Sequence, residues 1–507
     1  MNCKLASGLG LAAALAFGVA TPGLAAEGHD IVIAYASEPT TVDPCDMEAD
    51  PALVLSGNVV QTLTDINPET SEVEPLLATS WKQDGDKGWI FELRDGVTFS
   101  DGAKFDAEAA AFGINRGMNT PEITCSDQAK VAEKVTVTII DPMTIRLETD
   151  VPAPALPREL AYLHLSSPKS TPAKEKTSTP VGTGAYTFER WDSGEQIVLK
   201  RRDDYWGQQP AVAGVSIKFR KEPSVRAQMV QTGEADIGYP IPPQFATEDD
   251  STKEFPLSSV FFIRVQNTVP PLDDIRVREA IRYALDKKTA VEVLLGRTAI
   301  PTDNAVARTI NAFVPDYAWP GYDPEKAKAL LAEAKADGVP VGAQIKFVAM
   351  TNQFTGSSEI MQYLAQNLKD VGLDVDLQIV DPAAWAKILF TRSTPADIPY
   401  LLASKNGNTT GDGSPTFTSY MDKYGCCAAT KDDQLATLIN AAREQADPAA
   451  RRQAWHEAAM YAYTKDLSIL PVAELMGLML QSKRINYQPT GQTEDMQMKL
   501  GDITFNE

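Results

Sequence analysis

Three histidines, five cysteines and a scatter of carboxylate pairs are the groups in this 507-residue chain whose chemistry is worth testing first. His29, His164 and His456 stand far apart and in no HExxH or related spacing, so zinc has no donor set. There is no GxSxG elbow, no Walker loop and no GxGxxG. Ser166-Ser167-Pro168-Lys169 matches the SxxK of penicillin-recognising enzymes, but Pro168 opposes the helix on which that Ser and Lys must share a face, and no KTG follows. Gly182-Thr183-Gly184 resembles a phosphate cradle only superficially, because a strand pattern (Tyr186 to Phe188) follows it instead of a helix. The pairs Asp203-Asp204, Asp249-Asp250 and Asp432-Asp433 lie in polar runs and read as solvated surface. The inventory disfavours catalysis and leaves binding.

The first residues say where such binding would happen. Lys4, an apolar run from Leu9 to Ala20, and the small residues ending at Ala25-Ala26 have the layout of a secretory signal peptide over 1–26. The apolar run is shorter than the roughly 20 residues that cross a bilayer, and the later run Ile469 to Leu480 is also short and carries Glu474. Cys3 precedes the apolar core, so no cysteine waits at the cleavage point for a lipid. This predicts a soluble periplasmic protein and not a lipoprotein. Without Lys4 the chain keeps 46 basic against 68 acidic residues, a balance that argues against nucleic acid as a partner.

The mature chain retains Cys45, Cys125, Cys426 and Cys427, for which three disulfide pairings exist. A ring between the adjacent Cys426 and Cys427 would be strained, although it would leave Cys45 and Cys125 as a simple pair. The pairing stays open at this point. A metal or redox use of Cys-Cys has neither a CxxC nor a nearby histidine behind it.

The first half of the chain is strand-like: IVIAYASE from Ile31, WIFELRDGVTF from Trp89, and VTVTII and MTIRLET about the turn Asp141-Pro142. The second half alternates helix and strand. Val277, Ala280, Ile281, Ala284 and Leu285 recur at helical spacing, and Asp323-Pro324 should cap and start a helix whose apolar face holds Ala327, Leu330, Leu331 and Ala334. IKFVAM (Ile345 to Met350), a helical pattern through Leu368, Gly372 and then LDVDLQIV spell a βαβ unit. Ligands of such sheets lie beyond the carboxyl ends of the strands, which makes the loop from Thr351 to Gly356 a candidate contact.

Together these runs resemble the family 5 extracellular solute-binding proteins, the peptide and nickel class. The resemblance is carried by Leu93 to Arg116, Val181 to Gly207, GEADI (Gly233 to Ile237), Asp273 to Lys287 and YDPEKAKALLAEA, in the family's order over nearly the whole mature chain. It implies an α/β, two-lobed periplasmic-binding-protein fold of the class II type, with an extra third domain, mixed sheets and a hinge between the lobes. Lobe I would combine 27–65, 180–262 and 479–507, the extra domain 66–179 and lobe II 263–478, with crossings near Phe261 to Asn267 and Gly477 to Lys483. The protein would be a monomer that performs no chemistry and needs no cofactor. It would hand a peptide or other small solute to inner-membrane ABC permease subunits driven by cytoplasmic ATPases. An opine, amine, oligosaccharide or nickel complex is the alternative cargo, and a secreted hydrolase or a periplasmic chaperone or metal carrier the remoter roles.

In the dipeptide binders of this family a loop aspartate meets the ligand's ammonium and an arginine its carboxylate. The aspartate matches Asp412 in NTTGDGSP (Asn408 to Pro415). The arginine does not carry over, since Thr351 and Gln353 of TNQFTG stand where those binders place basic and aromatic groups; Phe354 would supply an aromatic wall. From the other lobe, Glu38 to Asp46 is the second expected contact, with Thr40 its best single residue.

Overall fold

A computed structural model describes residues 29–47, 52–68, 70–125, 134–390, 398–490 and 498–506. The leader expected over 1–26 lies outside the described residues. Two long antiparallel strands, Thr252–Val265 and Ile469–Gln481, run through the middle of an 11-stranded mixed sheet and serve both of its halves. Both are buried along most of their length, and neither alternates with polar residues as a one-sided strand would.

On one flank of this pair lies the first half. Strand His29–Tyr35 runs parallel to Val212–Phe219 and Ile237–Tyr239, and Ile237–Tyr239 meets the end of Ile469–Gln481. Phe255 and Met479 pack into its core with Ile31, Ile33 and Ile217. On the other flank, Phe261, Ile263, Leu470 and Val472 pack with the helices and strands of the second half. The ladder between the long strands slips between Pro256 and Val260, opposite Met476 and Glu474. A proline cannot donate to a ladder and a bulge bends its strand, which accounts for the break in pairing here. Core membership changes near this slip, with Phe255 in the first core and Phe261 in the second.

The second half contains the βαβ unit as read. Ile345–Met350 pairs in parallel with Val375–Val380, the connecting helix is Ser357–Asp370, and Gly372 follows it with φ +97°. Strand Tyr400–Gly407 is parallel to Ile345–Met350 and antiparallel to Thr252–Val265, which joins the unit to the hinge. Helices Ile275–Ala284 and Pro324–Ala336 start at Asp274 and Asp323, whose side chains accept from Arg276 N and Lys326 N at 2.9 Å.

A third body has its own core. Strands Ala78–Asp84, Gly88–Leu93, Thr144–Thr149 and Val135–Asp141 form an antiparallel sheet packed with helix Ala107–Asn119, and Phe91, Ile114 and Leu147 lie at its centre. The Cys45–Cys125 disulfide ties this body to the segment after the first strand. Arg116 reinforces the tie through two hydrogen bonds to Asp43, at 2.9 and 2.6 Å. Cys426 and Cys427 are not disulfide-bonded.

The motifs set aside in the sequence turn out to be structural. Ser167 Oγ and Lys169 Nζ both donate to Asp101, at 2.6 Å. At Gly182 and Gly184 a β-carbon would come within 2.1 and 2.2 Å of the Val59 and Asn58 carbonyl oxygens, so these glycines permit close backbone packing. Among the described residues no helix is long and apolar enough to cross a membrane.

Candidate ligand-binding site

The three parallel strands of the second half end at one edge of the sheet, where open α/β sheets hold their ligands. Val348 and Leu402 form the last paired rung between two of them; three residues further on each strand come Thr351 and Lys405. Thr351 is exposed and its N–H donates to Val380 O at 2.8 Å. Gln353 and Phe354 are half-buried, and the Phe354 ring packs 5.1 Å from that of Phe261. Much of Phe354 therefore serves the core, with the remainder left as a wall.

Lys405 is the residue that sequence reasoning passed over. It follows the apolar run Tyr400 to Ala403 in strand Tyr400–Gly407, sits directly across the ladder from Phe261, and is half-buried. Directly opposed residues of an antiparallel pair share a face. Ser259, two residues before Phe261 on the same strand, shares that face too. Its hydroxyl is fully buried and has no hydrogen-bond partner, and the Lys405 ammonium makes no ion pair among the described residues. The available signal was a lone lysine following the apolar run of a parallel strand.

Asp412 lies at the same edge, on the loop after Tyr400–Gly407, but its carboxylate is not free. Oδ1 accepts from Arg451 at 2.8 Å and from Ser414 N at 2.9 Å; Oδ2 accepts from Arg451 Nε at 2.6 Å and from Asn311 Nδ2 at 2.8 Å. Those contacts use the roughly four acceptor positions of a carboxylate. Burial opposes its ionisation, yet Arg451 holds its pKa down to about 2. In this conformation the carboxylate is saturated by its own protein, and these contacts fix the loop from Asn408 to Pro415. Arg451, on helix Pro448–Tyr461, has no sequence signal that would distinguish it from its neighbour Arg452.

The third body leans on this same loop. Arg158 donates to Ser71 O at 2.5 Å within its own body and to Thr410 O at 3.2 Å across the gap. Tyr162 Oη donates to Thr409 O, and Ser71 Oγ to Thr309 O. Gly411, with φ +68°, lies so close that a β-carbon would stand 2.6 Å from the Arg158 guanidinium. Burial lowers the Arg158 pKa, and the nearby Asp412 charge counters it. These contacts bridge a third-body wall and second-half loops.

Thr40 is exposed on the first half, in the segment after strand His29–Tyr35. Its neighbours are pinned: Glu38 accepts from Gly194 N and Trp191 Nε1, which lower its pKa, and Asp43 is held by Arg116. The structure thus gathers Thr351, Gln353, Phe354 and the Asp412 loop on one sheet edge, with Thr40 on the opposite body.

Two bodies hung on a shared pair of strands, with edge loops facing between them, form the hinged architecture of a periplasmic-type binding protein. Solved structures bear this out at the level of fold. The periplasmic murein tripeptide-binding protein MppA in its unliganded open form aligns over 95% of this chain and 98% of its own, with TM-score 0.81 and 18% identity. The nickel ABC transporter protein of Bacillus halodurans aligns over 92% of this chain and 98% of its own, with TM-score 0.78 and 22% identity.

The chain belongs to the bacterial extracellular solute-binding proteins of family 5, whose model, "Bacterial extracellular solute-binding proteins, family 5 Middle", matches residues 72–422. It is the solute-binding component of an ABC importer. Glutathione-binding protein GsiB of Salmonella paratyphi A is 30% identical over 390 residues, covering 75% of this chain and 74% of the relative. GsiB of Escherichia coli K12 is 30% identical over 393 residues, covering 72% and 73%.

Proposed function

We propose that this protein captures short peptides or peptide-like solutes bearing a free carboxylate, by closure of its two halves, and presents the closed complex to inner-membrane permease subunits. The observation that carries this reading is Lys405, a half-buried cation with no ion pair among the described residues, near the carboxyl end of strand Tyr400–Gly407 at the candidate sheet edge. A desolvated carboxylate requires a cation, and this edge offers one. Thr351, Gln353 and Phe354 line the same edge, and Thr40 closes on the ligand from the first half. Asp412 acts indirectly, by fixing the loop that Arg158 and Tyr162 grip. The relatives named for glutathione, a tripeptide with two carboxylates, favour the same ligand class.

In this reading the chain works as a monomer that performs no chemistry and takes no cofactor or nucleic acid. The leader over 1–26 is removed on export, and the absence of a cysteine at its end leaves the protein free in the periplasm. The lobes divide at the slipped ladder, 256–260 on the outward strand and 474–476 on the return. A thermal-shift panel of glutathione, peptides of graded length, opines, amines and sugars tests the ligand class. A true ligand at 100 times its dissociation constant adds about 2.7 kcal/mol. Shifts by carboxylate-bearing peptides support the reading, and shifts confined to neutral sugars or amines overturn it.

A further inference from the structure

The adjacent cysteines are left unused by solute capture. Cys426 and Cys427 lie in the turn that follows helix Ser414–Tyr420, with their sulfurs 2.9 Å apart. Cys426 is exposed and Cys427 buried. The turn is rigidly placed: Cys427 N donates to Ser419 O at 3.0 Å and Gly425 N to Asp422 O at 2.7 Å. At Gly425 a β-carbon would stand 2.3 Å from Thr418 O, so only glycine lets the turn fold back on the helix.

A second observation concerns the charge beneath the turn. Arg264 is 1% exposed, donates to the Cys427 carbonyl and, at 3.1 Å, to Tyr400 Oη, and leaves its Nε without a partner. No carboxylate pairs with it among the described residues. Buried cations are normally paired; Arg264 draws the Cys427 thiol toward ionisation, but burial opposes it more strongly.

We propose that Cys426 and Cys427 form a redox-active dithiol, a covalent modification site that closes to a vicinal disulfide by exchange with a disulfide oxidant. The exposed Cys426, as its thiolate, attacks one sulfur of the oxidant; the oxidant's disulfide breaks and its other sulfur leaves, taking up the proton that Cys426 gave up. Cys427 then attacks the Cys426 sulfur of the mixed disulfide and expels the oxidant's second thiol, which receives the Cys427 proton. Two protein thiols are oxidised to one disulfide and one oxidant disulfide is reduced to two thiols. Burial holds the Cys427 thiol up at about 12, so Cys426 is the entry point and Cys427 the resolving group.

The bond so formed is labile. Neighbouring α-carbons are about 3.8 Å apart, short of the usual 4.4–6.8 Å span of disulfides, and such strain makes a bond easier to reduce. Cys45–Cys125, buried and spanning 80 residues, is the resistant one. The site therefore switches while the structural bridge stays closed.

The test treats the unaltered mature protein with oxidised glutathione and counts thiols by alkylation and intact mass. The expected result is loss of both alkylatable thiols with no retained glutathione, and return of both under a mild reductant that leaves Cys45–Cys125 intact. Cys427→Ser should trap one glutathione on Cys426, whereas Cys426→Ser should take up none. Persistence of both free thiols, or a stable glutathione adduct on the unaltered protein, overturns the proposal.

Discussion

Arg451 takes both carboxylate oxygens of Asp412, donating from Nε to Oδ2 at 2.6 Å and from its terminal nitrogen to Oδ1 at 2.8 Å. The pair is buried on both sides, with 9% and 3% of the side chains exposed. Removing one partner of such a pair leaves a buried charge uncompensated, which costs about 3–5 kcal/mol. Arg451→Met should lower the urea-unfolding free energy by that amount. A loss under about 1 kcal/mol would mean that water reaches the carboxylate.

The same pair gives the protein a defined acid limb. The folded pKa of Asp412, about 2, lies below its ordinary 3.8. A depressed carboxylate contributes stability that is fully present above the unfolded pKa and is lost as pH falls through the folded one. Asp412 should contribute about 2 kcal/mol at neutral pH, lost between pH 3.8 and about 2. Glu474 has the opposite sign. Burial raises its pKa despite Arg308, so its contribution to stability falls as pH rises through the folded value. Unfolding midpoints of the parent and Asp412→Asn followed down the acid range check the first effect: the variant's curve should be the flatter.

Lys405 carries the affinity in this account. Truncating one member of a buried charge pair at an interface costs about 2–5 kcal/mol, so Lys405→Met should weaken a carboxylate ligand ~30-fold or more. Lys405→Arg should retain most of the binding. Calorimetric titration separates the two, and equal affinity in parent and Lys405→Met would remove the residue from the site.

Arg158 should govern closure without touching the ligand. Its hydrogen bond to Thr410 O crosses from the third body to the second half. Arg158→Ala should shift the unliganded protein toward the open form, seen as a larger radius of gyration in solution scattering, with a weaker dissociation constant. An unchanged radius would show that Ser71 and Tyr162 suffice as the latch.

Much of the fold was legible because local signals agreed with one another. Asp274 and Asp323 cap their helices as their spacing predicts, and the βαβ unit follows from periodicity and Gly372. The slip between the long strands was not, since Thr252–Val265 and Ile469–Gln481 are continuous apolar strands whose change of register is marked only by Pro256. Site residues divided along similar lines. The loop Thr351 to Phe354 follows from topology, whereas the saturation of Asp412 depends on Asn311 and Arg451, 101 and 39 residues away. No local pattern encodes partners at that range. Lys405 is set opposite Phe261 only through cross-strand register, which the sequence leaves unstated.

The most direct test is calorimetric titration of the mature protein with glutathione and with peptides of graded length, each compared with its form amidated at the carboxyl end. The account predicts one-to-one binding of at least one free-acid peptide and a loss of ~30-fold or more on amidation, the value of a buried charge pair. Equal affinity for both forms, or no heat from any peptide, would contradict it.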